Sequence, residues 1–113
     1  MYLLENGDKC EVQEFFEAPA NNAPASGFRH MLDVITGEKG FIGLPAGWFD
    51  SWDEGGELFT ELIKGPWRIS CFREGRKLLL ATVFRKRRWK EKKEYKRAIA
   101  LKRRVDVSGC WKG

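Results

Sequence analysis

The stretch ELFTELIKGPWRISCFREGRKLLLATVF, residues 57–84, decides the fold because it holds three strand-like runs separated by short turns. The runs are ELFTELIK, WRISCF and KLLLATVF, and the turn signals between them are Gly65-Pro66 and REGR. Such short connections favour an antiparallel meander. KLLLATVF is apolar on both faces, which is typical of a strand in the middle of a sheet.

Two helices and a loop are predicted upstream of these strands. YLLE is a short extended opening that ends at the turn pair Asn6-Gly7. Asp8, with Glu11 as the second member of a capping box, is expected to begin a helix through KCEVQEFFEA. Ser26 is expected to cap a second helix, GFRHMLDVIT, whose apolar residues recur at helical spacing. FIGLPAGWFDSWDEGG, residues 41–56, is predicted to form a packed loop because it is rich in Gly and Trp.

A basic helix is predicted to close the chain, from about residue 89 to residue 104. Its buried stripe is expected to contain Tyr95, Ala98, Leu101 and Val105. The C-terminal CWKG is a candidate for a last strand. The order strand, helix, helix, three strands, helix predicts one α+β domain over residues 1–113. We expect a small antiparallel sheet with the helices packed on one of its faces.

Length and composition restrict the class of protein. A chain of 113 residues is typical of a single domain. It has no apolar run near the roughly 20 residues that span a bilayer, and its N-terminus lacks the basic region of a secretory signal. Cys10, Cys71 and Cys110 lie far apart, which argues against a disulfide framework and against a zinc site. These features predict a cytoplasmic protein with reduced thiols.

The charge of the chain is unevenly distributed. Residues 1–61 carry 3 Lys or Arg and 12 Asp or Glu, whereas residues 62–113 carry 18 and 4, so the halves have net charges of −9 and +14. FRKRRWKEKKEYKRAIALKRR, residues 84–104, holds 12 of these cations. Such a run either keeps a surface helix soluble or holds a polyanion. The asymmetry favours contact with nucleic acid.

Three pieces of the second half, taken in order, resemble the RelE/HigB superfamily of type II toxins, and most closely its phage-derived HigB-like branch. ELIKGPWRISCF is similar to the family's Glu-Leu strand and the aromatic-Arg-hydrophobic strand that follows it. GRKLLLATVFRKR is similar to its hairpin and central strand, and KKEYKRAIALKRR is similar to its closing helix. The resemblance runs from about residue 28 to residue 105. It implies a compact ribonuclease that cuts mRNA in the ribosomal A site and is silenced by a cognate antitoxin, for which we expect a helix-turn-helix protein.

RNA cleavage needs no metal when the 2′-OH attacks the neighbouring phosphate. The attack requires a group that takes the 2′-OH proton, cations that stabilise the phosphorane and a donor for the leaving 5′-oxygen. The chain has one histidine, His30, which is interpreted as a surface or capping residue. No cluster of Asp, Glu and His in the sequence marks a metal site, so no cofactor is expected. Arg, Lys, Glu and Tyr remain as candidates.

Arg68 is the first candidate, because a charged residue in the middle of a strand needs a partner. Alternation places it on one face with Ser70 and Phe72. It either forms a salt bridge to Glu61 or clamps a phosphate through its guanidinium. The resemblance implies that Arg68 is catalytic. Glu61 matches the family's Glu in the preceding strand and either acts as a general base or only partners Arg68. The family often has an Arg two residues after this Glu, where the chain has Ile63.

The basic run supplies the other candidates. The predicted catalytic set is Arg68, Glu61, Lys86, Arg87 and Tyr95, and the predicted RNA-binding set is Lys64, Arg85, Arg88, Trp89, Lys90 and Lys93. Lys64 is expected to replace the missing cation at Ile63. Trp89 either stacks on a base or anchors the helix in the core, and the core is favoured. Periodicity places Tyr95 on the apolar stripe. We expect a cationic cleft whose main acids are Glu61 and Glu91, with Trp111 and Lys112 as further candidates for its lining.

Other functions stay open at this point. The superfamily also contains ParE-like members, which bind gyrase and are not nucleases. A homologue that has lost its activity would keep only antitoxin or nucleic-acid binding, and Ile63 is the feature that favours these alternatives. An unrelated nucleic-acid-binding module is a third possibility, although the sequence has no helix-turn-helix, zinc-finger or RRM signature.

Overall fold

The computed structural model of the protein describes residues 2–5, 9–74, 77–87, 89, 91–108 and 111–112. Its elements are β1 (Tyr2–Leu4), α1 (Glu11–Glu17), a 3₁₀ turn (Pro19–Asn21), α2 (Asn22–Ile35), β2 (Phe49–Glu54), β3 (Glu57–Lys64), β4 (Trp67–Glu74), β5 (Lys77–Arg85), α3 (Lys92–Ser108) and β6 (Trp111–Lys112). The strands form one sheet in the order β2-β3-β4-β5-β1-β6. The predicted α+β class is therefore confirmed.

Strands β3, β4 and β5 form the predicted antiparallel meander. β1 lies beside β5 and pairs with it in parallel, so the sheet is mixed and not purely antiparallel as expected. The C-terminal segment returns as the predicted last strand, β6, which pairs with β1. β5 therefore lies between β4 and β1, and this central position explains why its sequence is apolar on both faces.

The helices cover both faces of the sheet, and the prediction that they share one face is wrong. α1 and α2 pack on one face through residues that include Phe15 and Phe28, against Ile69 and Leu80. α3 packs on the other face, and its cluster comprises Phe59, Phe72, Leu79, Ala81, Phe84, Tyr95, Ala98, Ile99, Leu101 and Val105, with Leu4. The predicted stripe of α3 is buried in full. Because β5 is apolar on both faces, each face needs a covering layer.

Strand β2 replaces part of the predicted loop 41–56. It pairs antiparallel with β3 along its whole length, from Phe49 opposite Leu62 to Glu54 opposite Glu57. The turn between the two strands consists of Gly55 and Gly56, whose φ angles are 59° and 86°. A two-residue hairpin turn with positive φ at both positions favours glycine. The Gly-Gly pair was therefore the sequence signal for a hairpin.

The first two helices begin where neither predicted cap applies. The residue before α1 is Cys10, which makes no side-chain cap, and Asp8 lies outside the described residues together with the turn pair Asn6-Gly7. α2 begins at Asn22, so Ser26 lies inside the helix. Pro24 falls in the first turn, where backbone N–H groups have no helical acceptor and proline is tolerated.

Lys102 anchors α3 to the sheet. Its side chain is buried, and Nζ lies 3.2 Å from Glu57 Oε2 and 3.1 Å from Glu74 Oε1. The same ammonium lies 5.7 Å from the ring centroid of Phe72. A buried ammonium needs such partners, since an unpaired buried charge is costly. These contacts fix the register of α3 on strands β3 and β4.

A second network joins α1, β5 and α3. The Arg97 guanidinium binds Glu94 on its own helix and both carboxylate oxygens of Glu11 in α1. Glu11 Oε1 also accepts a hydrogen bond of 3.0 Å from the backbone N–H of Val83 in β5. The carboxylate of Glu11 thus connects the two helical layers around the sheet.

These contacts explain part of the charge asymmetry, because acidic residues of the first half bind basic residues of α3. Besides the two networks, Arg103 pairs with Glu57 at 3.3 Å and Lys92 pairs with Glu54 at 3.1 Å. Other cations of the basic run make no ion pair with the described residues, and they include Arg85, Lys86, Arg87, Lys93 and Lys96. In the described part of the chain, no helix combines the length and apolar character that a membrane crossing needs.

Candidate active site

A cleft of about 330 Å³ lies between strand β2, the middle of β3 and the segment that leads into α3. Its lining consists of Asp50, Trp52, Asp53, Glu54, Glu61, Lys86, Trp89, Lys92 and Tyr95. A larger hollow of about 830 Å³ lies between the end of α2 and the β4–β5 hairpin, but the carboxyl group in its lining, Glu38, is exposed. The smaller cleft is the chemical candidate because it contains a buried carboxyl group.

Glu61 lies in β3 and is only 2% exposed. Its Oε1 lies 3.3 Å from Arg68 Nε, and its Oε2 has no hydrogen-bond partner among the described residues. Burial raises the pKa of this carboxyl above its ordinary value, and Asp50 raises it further, while Arg68 and Lys86 partly oppose the shift. A carboxylate whose pKa is raised is a stronger base than an ordinary carboxylate, so it is better suited to accepting a proton.

Arg68 is held in place beside Glu61 by the turn that joins β3 to β4. Its Nη1 donates to the carbonyl oxygens of Gly65, at 2.6 Å, and Trp67, at 2.9 Å. The side chain lies on the face of β4 that also carries Phe72, as alternation predicted, and this face is covered by α3. The contact with Glu61 confirms the salt-bridge interpretation. The phosphate clamp stays a prediction, which these contacts permit because they fix the guanidinium next to the cleft.

Tyr95 belongs to the core, as its periodicity indicated, and also lines the cleft. Its ring centroid lies 5.2 Å from that of Trp52, 5.0 Å from that of Phe59 and 6.5 Å from that of Phe84. Burial raises the pKa of the Tyr95 phenol above its ordinary value, and the charges of nearby carboxylates, Glu61 among them, add to this. The hydroxyl therefore keeps its proton at neutral pH and can serve as a donor.

Two lysines face the cleft. The backbone N–H of Lys86 donates to the carbonyl oxygen of Pro66 at 2.7 Å, which ties the start of the basic segment to the β3–β4 turn. The charge of Lys86 lowers the pKa of Glu61, so the two groups are close enough to interact. Lys92 contacts both carboxylate oxygens of Glu54 at 3.1 Å. Lys86 is thus the lysine of the cleft lining without an ion pair to the described residues.

Trp89 stands at the rim of the cleft with 86% of its surface exposed. The favoured interpretation, a core anchor for the helix, is therefore wrong. Trp89 does not belong to the core cluster on the α3 side of the sheet, in which Tyr95 is buried. Stacking on a base stays a prediction for this indole.

Several predicted residues lie elsewhere. Lys64 lies on the face of β3 that packs against α2, and its aliphatic stem contacts Gly27. Because Ile63 points to the opposite face of the strand, Lys64 does not replace the cation that is missing there. Arg85, Arg87 and Lys93 line a neighbouring hollow of about 500 Å³ together with Phe84, Glu91 and Glu94. The Glu91 carboxylate accepts a 2.7 Å hydrogen bond from the backbone N–H of Arg87 and is not part of the cleft lining.

Other predicted residues are outside the site or outside the described chain. Arg88 and Lys90 are not among the described residues. Strand β6 lies at the sheet edge opposite β2, and the side chains of its residues Trp111 and Lys112 are outside the part of the chain that the structure describes. His30 is exposed on α2, where its ring meets that of Trp48 at a centroid distance of 5.8 Å.

Strand β2 contributes the site residues that sequence reasoning missed. Asp50 faces Glu61 directly across the β2–β3 ladder, and Trp52 faces Phe59. With Asp53 and Glu54 these residues make the cleft mixed in charge, so the expectation of a cationic cleft with few acids is wrong. In the described part of the chain, no group of three or more His, Cys, Asp or Glu is arranged to hold a metal ion.

Comparisons with known proteins leave the family open. A scan against protein-family models finds no match, and searches of curated proteins and of solved structures find no significant relative.

The raised pKa of Glu61 predicts a pH-dependent stability. Because the folded-state pKa lies above the unfolded value of about 4.3, the protonated side chain favours folding. This contribution is complete below the unfolded pKa and is lost as the pH rises through the folded one. Glu61→Gln removes this loss, so the variant is expected to gain free energy of unfolding relative to wild type between pH 4 and pH 8. Urea unfolding across that range measures the free energy of unfolding of both proteins. A difference between them that stays constant with pH would contradict the prediction.

Proposed function

We propose that the protein is a metal-independent endoribonuclease that cleaves translated mRNA, acting as the toxin of a type II toxin–antitoxin system of the RelE/HigB kind. The observation that carries the proposal is the Glu61–Arg68 pair, which combines a buried, proton-accepting carboxyl with a fixed guanidinium beside a cleft. The resemblance of residues 61–72 to the family's two strands points to the same pair.

Each chemical requirement of 2′-OH attack has a candidate group at the cleft. Glu61 takes the proton of the 2′-OH as the 2′-oxygen bonds to phosphorus. Arg68 and Lys86 stabilise the charge that develops on the phosphorane oxygens. As the bond from phosphorus to the 5′-oxygen breaks, Tyr95 donates a proton to the leaving oxygen. The products are a 2′,3′-cyclic phosphate and a 5′-OH.

The surroundings of the cleft offer contacts for a single RNA strand. Trp89 is exposed at the rim, and an aromatic ring there can stack on a base. Arg85, Arg87 and Lys93 lie in the adjoining hollow and can bind the phosphates of flanking nucleotides. Because the cleft itself contains both acidic and basic side chains, we expect the cations of this hollow to provide most of the electrostatic attraction for the RNA phosphate backbone.

Partners and location follow from the proposed activity. The substrate is mRNA on the ribosome, which requires the protein to act in the cytoplasm. A ribonuclease of this type needs silencing, and the resemblance favours a cognate antitoxin of the helix-turn-helix class.

The direct test is the mapping of mRNA cleavage on translating ribosomes with the purified protein. The proposal expects new 5′ ends at defined positions within codons, which appear only when the wild-type protein is added. Intact mRNA after incubation with folded protein would refute the proposed activity.

RNA binding is expected to weaken as salt is added. Each phosphate neutralised on a single strand contributes roughly −0.7 to the slope of log K against log salt. If Arg85, Lys86, Arg87 and Lys93 each engage one phosphate, the slope is about −3 by this relation. Binding of a labelled RNA between 50 and 300 mM KCl measures the slope. A value near zero would exclude the basic segment from the interface, and the α2 variant Arg29→Ala serves as a control that leaves the slope unchanged.

A second candidate function is a binding module without catalysis, in the manner of ParE-like proteins or of an inactive homologue. The observation that favours it is the engagement of Arg68 by Gly65, Trp67 and Glu61, together with Ile63 at the position of a family cation. The cleavage assay separates the two candidates. A folded protein that binds RNA, gyrase or an antitoxin without cutting mRNA would support the binding module.

A further inference from the structure

Asp50 differs from the other three acidic residues that line the cleft. Asp53 accepts a hydrogen bond from the backbone of the β2–β3 turn, Glu54 binds Lys92, and Glu61 binds Arg68. Asp50 is exposed and makes neither a hydrogen bond nor an ion pair with the described residues. Its carboxylate oxygens are therefore available to donors from outside the chain.

The position of Asp50 relates it to the reactive pair. It stands directly opposite Glu61 in the β2–β3 register, so both side chains project from the same face of the sheet into the cleft. Glu61 is 2% exposed and its Oε2 has no hydrogen-bond partner among the described residues, so the cleft holds a second carboxylate oxygen that no described donor engages. Trp89 completes the rim with an exposed indole.

We propose that Asp50 and Trp89 form a nucleobase subsite that selects guanine next to the cleaved phosphate. The inference rests on the proposed function, since it names the base that the same cleft would hold. Single-stranded RNA is recognised by stacking of splayed bases on aromatic side chains and by hydrogen bonds to their Watson–Crick edges. The indole of Trp89 supplies the stacking surface and Asp50 supplies the acceptor.

Guanine is the base whose edge fits an unpaired carboxylate. An ionised carboxylate is an acceptor only, with two oxygens side by side. Guanine presents two adjacent donors, N1–H and the N2 amino group, so it binds both oxygens at once. Adenine and cytosine each offer one amino donor beside a ring nitrogen that repels the carboxylate, and uracil offers one N–H between two carbonyl oxygens.

The test compares the bases found at cleavage sites in a randomised mRNA library on translating ribosomes, for wild type and Asp50→Asn. The readout is the ratio of cleavage at guanine to cleavage at the other bases. The absolute rate is unsuitable, because the charge of Asp50 also raises the pKa of Glu61, so replacing Asp50 changes the rate at every site. We expect guanine to be favoured roughly tenfold at one position beside the cut, the size of a good bidentate base contact. Asp50→Asn is expected to reduce that factor to near one. Asp33→Asn, an exposed aspartate on α2, should leave it unchanged.

Four results would overturn the inference, and one of them would overturn the proposed function as well. Wild-type cleavage without a guanine preference, or a preference that survives in Asp50→Asn, overturns the guanine subsite and leaves the proposed function standing. Absence of cleavage by the wild type overturns both. If Asp50→Asn is folded but too slow to map, the readout becomes equilibrium binding of 2′-O-methyl UUGUU against UUAUU. Equal selectivity of the variant and the wild type in that assay would likewise overturn the subsite.

Discussion

Replacing Arg68 with alanine is expected to lower the rate of mRNA cleavage by about 100- to 1000-fold, the usual loss when one fixed donor to a developing anion is removed. The guanidinium is immobilised by the carbonyl oxygens of Gly65 and Trp67 and by Glu61, so it needs no reorganisation as charge develops. The substitution leaves the Glu61 carboxyl buried without its cation, which destabilises a fold by about 3–5 kcal/mol. Cleavage rates on ribosomes and thermal unfolding measure the two effects.

Two control variants separate catalysis from folding. Arg68→Lys keeps a cation beside Glu61, so its fold should survive while the bidentate contact with phosphate is lost. Arg73→Ala removes an arginine from the same strand but from the opposite face, where the guanidinium lies 4.5 Å from the ring centroid of Phe41. This variant should cleave normally. A folded Arg68→Ala protein with wild-type activity would remove Arg68 from the mechanism.

Glu61→Gln is expected to lower the cleavage rate by about 100- to 10,000-fold, the range attributed to a positioned general base. Glutamine keeps the shape of the side chain but takes up no proton from the 2′-OH. The fold should be at least as stable as wild type at neutral pH, because the amide has no charge to desolvate. In the wild type, the acidic limb of the pH–rate profile reports the titration of the Glu61 carboxyl, whose pKa is raised. This limb should disappear in the variant.

Glu74→Gln provides the matched control for this prediction. Glu74 lies at the far end of β4, where its carboxylate contacts Lys102 at 3.1 Å, so it is an ion-paired glutamate of the same sheet outside the cleft. The control should lose some stability and keep its activity and pH profile. Similar rates for Glu61→Gln and wild type would show that another group takes the proton.

Much of the fold was predictable because its signals are local. Strands β3, β4 and β5 follow from apolar runs and turn residues, and the stripe of α3 follows from helical spacing. Strand β2, FDSWDE, was missed because its apolar residues Phe49 and Trp52 lie three positions apart and do not alternate, although Gly55-Gly56 is a hairpin signal. The amphipathic pattern of a helix shows which of its sides is buried but not which face of a sheet it covers. The apolar character of β5 on both faces already required two covering layers.

The site was predictable where it depends on a single strand pair. Alternation in WRIS and the Glu of the preceding strand were sufficient to bring Arg68 and Glu61 together. Asp50 was missed because it lies on the unpredicted strand β2. The charge density of the basic run did not show that Lys92 is ion-paired. Its partner, Glu54, comes from the first half of the chain. Pairings of this kind join residues distant in sequence, and composition does not reveal them.

The most direct measurement replaces the ribose 2′-OH by 2′-deoxy at the mapped cleavage position of an mRNA on the ribosome. Magnesium is required by ribosomes, so its removal is not informative, whereas the 2′-deoxy substrate differs by one oxygen. Attack by the 2′-oxygen, with Glu61 as its base, predicts that the substituted mRNA stays intact at that position while cuts elsewhere persist. Cleavage of the substituted position at the normal rate would contradict this chemistry and would require hydrolysis by an activated water.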